Sequence, residues 1–309
     1  MPHRRFKVGS RRKNMKTGGD DHNRSGAHRR AHFARADGRR TPKIQNKKGT
    51  LKMACKNSRR NTVSLQNILK SEPERLLFGV DTSVSSATRL QNNLELFDWV
   101  ARNKLYPNFW GRHIFGSDHL TADEIEYLHS KACKVAIICD PSGAADTKEQ
   151  GVSFASRTVE RVTGLAVPKG TALFLMCEGH EITSEFMRGF VKRVSESGYT
   201  AAFIGDTDAA SSTFDREFSR CMQTDPDDFE GCMVWATSPT LKEYDRITTT
   251  HFIHPDNWVP YAPSGITRKD ISVWQYGKDC HPILSNDNRP TSFDLNLVKY
   301  EKVIINKMF

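Results

Sequence analysis

LLFGVD, residues 76–81, is the first of four short apolar runs that each close on a carboxylate. KVAIICD (134–140), ALFLMCE (172–178) and AAFIGD (201–206) follow, ending at Asp140, Glu178 and Asp206 as the first ends at Asp81. Near-continuous hydrophobicity over so few residues is the pattern of a strand buried on both faces, as in a parallel sheet covered by helices. Parallel strands end on one side of their sheet, so the four acids are expected to converge there. Between these runs the apolar spacing becomes helical. Leu90, Leu94, Phe97 and Ala101 mark one inward face, Val152, Ala155, Val159 and Val162 a second, and Phe186, Phe190 and Val194 a third that stops at Gly198. Thr121 and Glu124 have the spacing of a capping box ahead of Ile125 and Leu128, and another helix is expected near Phe214 to Met222. Further strands are read in FWGRHIF (109–115), from Cys232 to Thr237, and in ISVWQYG (271–277).

Strands alternating with helices call for a parallel sheet, and right-handed crossovers reduce the choice to an open doubly wound sheet or a closed barrel. No glycine-rich loop follows the first strand, which counts against the nucleotide-binding form of the open sheet. The predicted fold is therefore α/β, a TIM-like (β/α) barrel over residues 61–309, a length that suits one barrel. The irregular stretch from Ser238 to Lys269 marks where it would be incomplete or decorated.

Charge divides the chain in two. Residues 1–60 hold 20 Lys and Arg against 3 acids, whereas the remaining 249 hold 26 against 33. With runs such as Arg11-Arg12-Lys13 and few large apolar side chains, residues 1–60 are predicted to be a disordered basic tail. Such a block attracts polyanions, either nucleic acid or the anionic polymers of a bacterial wall. It also reads as a solubilising leader, with Met15 and Met53 as alternative starts. No stretch has the apolar length to cross a membrane, and the basic N-terminus lacks the apolar core of a secretory signal. The expectation is a cytoplasmic protein or one released by a non-classical route. Seven cysteines without metal-type pair spacing read as buried free thiols. His251 and His254 have no acids or cysteines at ligand spacing, so no metal and no cofactor are predicted.

Several segments occur in a familiar order: GVDTS at 79–83, WGRHI around Arg112, LTADEIEYLHSKACKVAII at 120–138, SGYTAAFIGD, WQY at 274–276 and FDLNL at 293–297. Over residues 78–298 the chain resembles the glycoside-hydrolase-like barrel domains formerly of unknown function, relatives of the muramidase-type lysozymes. The resemblance implies a TIM-like barrel with a glycan-directed cleft at the strand C-termini. It departs from the lysozymes on the fourth strand, where their Asp-x-Glu pair is replaced by Met176-Cys177-Glu178. Glu181 follows closely, placed either to supply the second acid or to begin the next helix.

Glycoside cleavage asks for one protonated carboxyl group and one ionised one. Asp81 and Glu178 are the predicted catalytic pair, with Glu178 as general acid in an apolar surround and Asp81 as the stabilising carboxylate. Asp140 and Asp206 fit substrate binding or the capping of the helices that follow. Arg112 fits substrate contact or an ion pair with one of the acids. Trp274, Gln275 and Tyr276 fit a sugar-binding surface, with Trp274 equally suited to the core. Asp294 joins the cleft or holds the terminal segment. The leading function is hydrolysis of cell-wall glycan. The alternatives are a non-catalytic glycan-binding barrel and a nucleic-acid-associated or phage-type structural protein acting through its basic tail.

Overall fold

In the computed structural model eight strands close into one barrel in sequence order. They are β1 Leu76–Thr82, β2 Phe109–His113, β3 Lys134–Cys139, β4 Ala172–Met176, β5 Thr200–Asp206, β6 Met233–Leu241, β7 Ile271–Cys280 and β8 Phe293–Lys299. The helices are α1 Leu96–Arg102, α2 Ala122–Ser130, α3 Lys148–Gly164, α4 Ser184–Glu196, α5 Thr213–Thr224 and the short α6 Pro226–Phe229. The structure describes residues 76–102, 106–207, 212–241, 255, 257–281, 291–299 and 305–309. The basic tail with its polyanion partner, and the pair His251 and His254, lie outside these residues.

Strands β1 to β7 run parallel, and β8 runs antiparallel to both of its neighbours, β7 and β1. Among the described residues no helix separates β6 from β7 or β7 from β8. The barrel is thus TIM-like through its first six strands and irregular in the last part. The reversal of β8 has a direct consequence for the site. Its first residues, not its last, lie beside the C-terminal ends of the other strands, so Asp294 stands opposite Asp81 in register.

Side chains alternate between two cores because successive strand residues point to opposite faces. Phe109, Ile138, Phe174, Ile204, Trp235 and Val273 fill the inside of the barrel. Trp110, Ile137, Leu173, Leu175, Phe203 and Trp274 pack outward against the helices. The Trp235 ring meets Phe174 edge-on at 5.2 Å and Phe109 at 6.0 Å, so the interior is packed solid and is no channel. Residues 305–309 close the bottom: Met308 is buried in the inner core, and Phe309 exchanges backbone hydrogen bonds of 2.6 and 3.2 Å with Val135. The open end is the one that carries the acids.

Local signals account for most helix ends. Thr183 caps α4 through the Phe186 N–H, and Gly198 ends it with φ of 77°, a left-handed conformation that glycine adopts without a Cβ clash. Helix α1 is shorter than its apolar spacing predicts. Leu90 and Leu94 lie before it in a turn closed by the Leu90 N–H on the Leu94 carbonyl (2.8 Å), while Arg89 and Glu95 form an antiparallel bridge. Leu90 is buried all the same, so its apolar signal reports packing rather than helix. The Thr121 box is half formed: Thr121 accepts the Glu124 N–H at 3.2 Å, but the Glu124 side chain leaves for Arg112. No helix among the described residues is long and apolar enough to cross a membrane.

Candidate active site

Strand alternation carries the apolar lining of the barrel into polar side chains at its mouth. Two residues beyond Gly79 on β1 stands Asp81, two beyond Ile138 stands Asp140, two beyond Met176 stands Glu178 and two beyond Ile204 stands Asp206. The same step leads from Gly111 to His113, from Trp235 to Thr237 and from Val273 to Gln275. On the reversed β8, Asn296 and Asp294 take these places, opposite Gly79 and Asp81.

Hydrogen bonds and an ion pair hold six of these nine side chains. The Trp235 indole donates to Asn296 Oδ1 (2.9 Å), and Asn296 Nδ2 donates to Asp81 Oδ1 (2.6 Å). Gln275 Nε2 donates to Asp294 Oδ2 (2.9 Å), and the Asp279 backbone N–H donates to Asp294 Oδ1 (2.7 Å). Thr237 Oγ1 donates to Glu178 Oε2 (3.1 Å), whose other oxygen pairs with the Lys278 ammonium. Buried and half-buried side chains that satisfy one another in this way restrict one another's orientations, which is what a preorganised site requires.

Asp81 and Asp294 form the electrostatic centre. Asp81 is 4% exposed, and burial raises its carboxyl from 3.8 to about 6 against the opposing pull of Asn296 and Lys278. Burial and then the Asp81 charge hold Asp294 well above the usual carboxylate range. Two acids facing each other across β1 and β8 do not both ionise readily, and both carboxyl groups are held above their ordinary range. Gly111 makes room for this arrangement. A Cβ there would lie 2.6 Å from the Asp81 Cβ and 3.0 Å from the Trp235 ring.

Asp140 belongs to a second cluster on the same rim. His180 Nε2 lies 2.8 Å from Asp140 Oδ1, and His113 Nδ1 lies 3.7 Å from Oδ2. Burial lowers the His113 pKa, Asp140 opposes that and Arg112 adds to it. Asp206 reaches the rim at the exposed end of β5, where its carbonyl accepts the Ser212 hydroxyl at 2.8 Å as α5 begins.

Other predicted residues lie away from the mouth. Arg112 is fully buried on the outer side of β2, pairing with Glu124 at 2.9 Å and donating to the carbonyls of Thr82 and Asp118. It joins β1, β2 and α2 rather than meeting a ligand or either predicted catalytic acid. Trp274 and Tyr276 are fully buried on the outer face of β7, with the Trp274 indole on the Ser238 carbonyl at 3.0 Å. Of the three consecutive residues only Gln275 turns inward, because neighbours on a strand point oppositely. The Tyr276 phenol is pushed far up by burial.

Cys133, Cys139, Cys177, Cys221 and Cys280 are buried free thiols, and Cys232 is partly exposed. Burial raises all six, Cys221 and Cys232 to about 12, so none is an activated nucleophile. Among the described residues no group of three or more His, Cys, Asp or Glu side chains is arranged to hold a metal. Thr237 and His113 escaped the sequence reading although alternation beyond Trp235 and Gly111 points to them. Lys278 had no such signal, since its direction depends on a bulge in β7.

Fold and site define a closed β/α barrel with a carboxylate cluster at its mouth. No protein-family model matches the chain, and a search of curated proteins finds no match. Among solved structures, an uncharacterized B. stearothermophilus protein is 22% identical, with 75% of this chain and 100% of that one covered and a TM-score of 0.60. That likeness is one of fold. Looser matches include a glycosyl hydrolase 25 of Streptococcus pneumoniae (13% identity, 75% of this chain and 92% of that one, TM-score 0.43). Another is the bacterial lysozyme from Streptomyces coelicolor (10%, 74% and 95%, TM-score 0.42).

Proposed function

We propose that the barrel is a glycoside hydrolase acting on bacterial cell-wall glycan, with Asp81 and Asp294 as the proton-bearing pair and Glu178 as the ionised carboxylate. The observation that carries this reading is the facing of Asp81 and Asp294 across β1 and β8 at the barrel mouth. A carboxyl group that stays protonated near neutral pH is what delivery of a proton to a glycosidic oxygen needs. As the bond from that oxygen to the anomeric carbon breaks, a second carboxylate either closes on the carbon or directs water to it. Glu178, paired with Lys278, suits this second task. The roles are thus the reverse of those expected from the sequence, because burial raises Asp81, burial and the Asp81 charge raise Asp294, and a lysine supplies Glu178 with a cation. The cell-wall substrate rests on the resemblance of the motifs to the glycoside-hydrolase-like barrel domains.

The test is release of reducing ends from purified peptidoglycan by the full chain, beside Asp81→Asn, Asp294→Asn and Glu178→Gln. Loss of activity in Asp81→Asn and Glu178→Gln is expected. A wild type that binds sacculi and releases no ends would refute hydrolysis. One observation favours that second reading, a glycan-binding barrel: Met176, two residues before Glu178 on the inner face of β4, stands where the resembled lysozymes have an acid.

A further inference from the structure

Lys278 reaches the site through an irregularity in the sheet. Between Gln275 and Cys280 the register of β7 against β8 shifts twice, each time with one more residue on β7 than on β8. Bulges of this kind turn a side chain away from its regular direction. Asp279, next in sequence, has φ of 52°, a left-handed conformation uncommon for a residue with a Cβ. This distorted segment does two things at once. It brings the Lys278 ammonium onto Glu178 Oε1 and points the Asp279 N–H at Asp294 Oδ1. Local strain of this sort persists where the surrounding structure holds it, and it gathers at functional sites.

We propose that Lys278 is a positioning residue of the site: its ammonium, delivered by the β7 bulge, holds Glu178 as the carboxylate and orients it against Thr237. This rests on the hydrolase reading and adds the device that divides the two roles. The charged groups around Lys278 come from every side of the mouth. Asp81 faces it from β1, Asp294 from β8 and Glu178 from beyond β4, with Asp279 beside it on β7. Asp206 and the Asp140 cluster with His113 and His180 complete the rim. Lys278 lowers both Asp81 and Asp294, so its removal is expected to act on all three carboxyl groups.

The experiment compares wild type, Lys278→Met and Lys278→Arg in the full chain. Carboxyl titrations of Glu178 and Asp81 are followed by carbon-13 NMR, and the pH profile of glycan cleavage is measured alongside. Lys278→Met is expected to raise the Glu178 midpoint by about one pH unit, the lower end of what an adjacent cation supplies, since the contact is partly exposed. Its activity profile should move the same way, and Lys278→Arg should restore both. An unchanged Glu178 midpoint in Lys278→Met would overturn the proposal, whatever the activity. A raised midpoint together with a wild type that cleaves no glycan would reject hydrolysis and leave the hold of Lys278 on Glu178 established.

Discussion

Replacing Asp81 by Asn should make the protein relatively more stable as the pH rises. The physical cause is the burial of Asp81, which raises its ionisation from 3.8 to about 6 in the fold. As pH increases, the unfolded chain releases this proton first, so the folded state loses stability from about pH 4 to about pH 6 and the loss is complete above that. Two pH units between the folded and unfolded titrations are worth about 3 kcal/mol, of which about 2 kcal/mol falls between pH 4.5 and 7.5. Asparagine keeps a carbonyl oxygen for the Asn296 Nδ2 donor and has nothing to ionise. Urea unfolding of wild type and Asp81→Asn, followed by tryptophan fluorescence at the two pH values, measures the difference. The variant should gain on the wild type by at least about 2 kcal/mol between pH 4.5 and 7.5, with Asp294 adding in the same direction. A stability difference that is the same at both pH values would refute the argument that Asp81 is buried at the cost of its charge.

Three other variants separate structural from chemical roles. Arg112→Ala should destabilise the fold by about 3–5 kcal/mol in urea unfolding, because it leaves Glu124 buried without its cation, and its effect on glycan binding should follow folding alone. Gly111→Ala should cost about 1–3 kcal/mol through overpacking against Asp81 and Trp235 and should abolish cleavage by displacing Asp81, which a calorimetric scan beside a reducing-end assay would show. Glu178→Gln should change stability by no more than about 1 kcal/mol, since its pair with Lys278 is partly exposed, while cleavage is lost. A Glu178→Gln protein that unfolds as easily as Arg112→Ala would assign Glu178 to the scaffold.

The sequence by itself determined the alternation of buried strands and amphipathic helices, the barrel, and the arrival of Asp81, Asp140, Glu178 and Asp206 at one end of it. Hydrophobic periodicity and strand parity are local properties of a chain, and each of those four acids lies at a run whose burial is written in neighbouring residues. Where a side chain served two purposes, local rules fell short. Glu124 has the spacing of a capping box, yet its carboxylate goes to Arg112, because a fully buried guanidinium gains more from a carboxylate than an exposed helix end does. Trp274 and Tyr276 look like a sugar platform in sequence and are core, because Gln275 between them takes the inward direction. Only the tertiary structure decided that β8 runs backwards. That reversal sets Asp294 against Asp81 across some 210 residues of chain and, with the bulge in β7, brings Lys278 to Glu178. The raised carboxyls of Asp81 and Asp294 follow from burial and, for Asp294, from the charge of a residue distant in sequence, and no spacing along the chain encodes these.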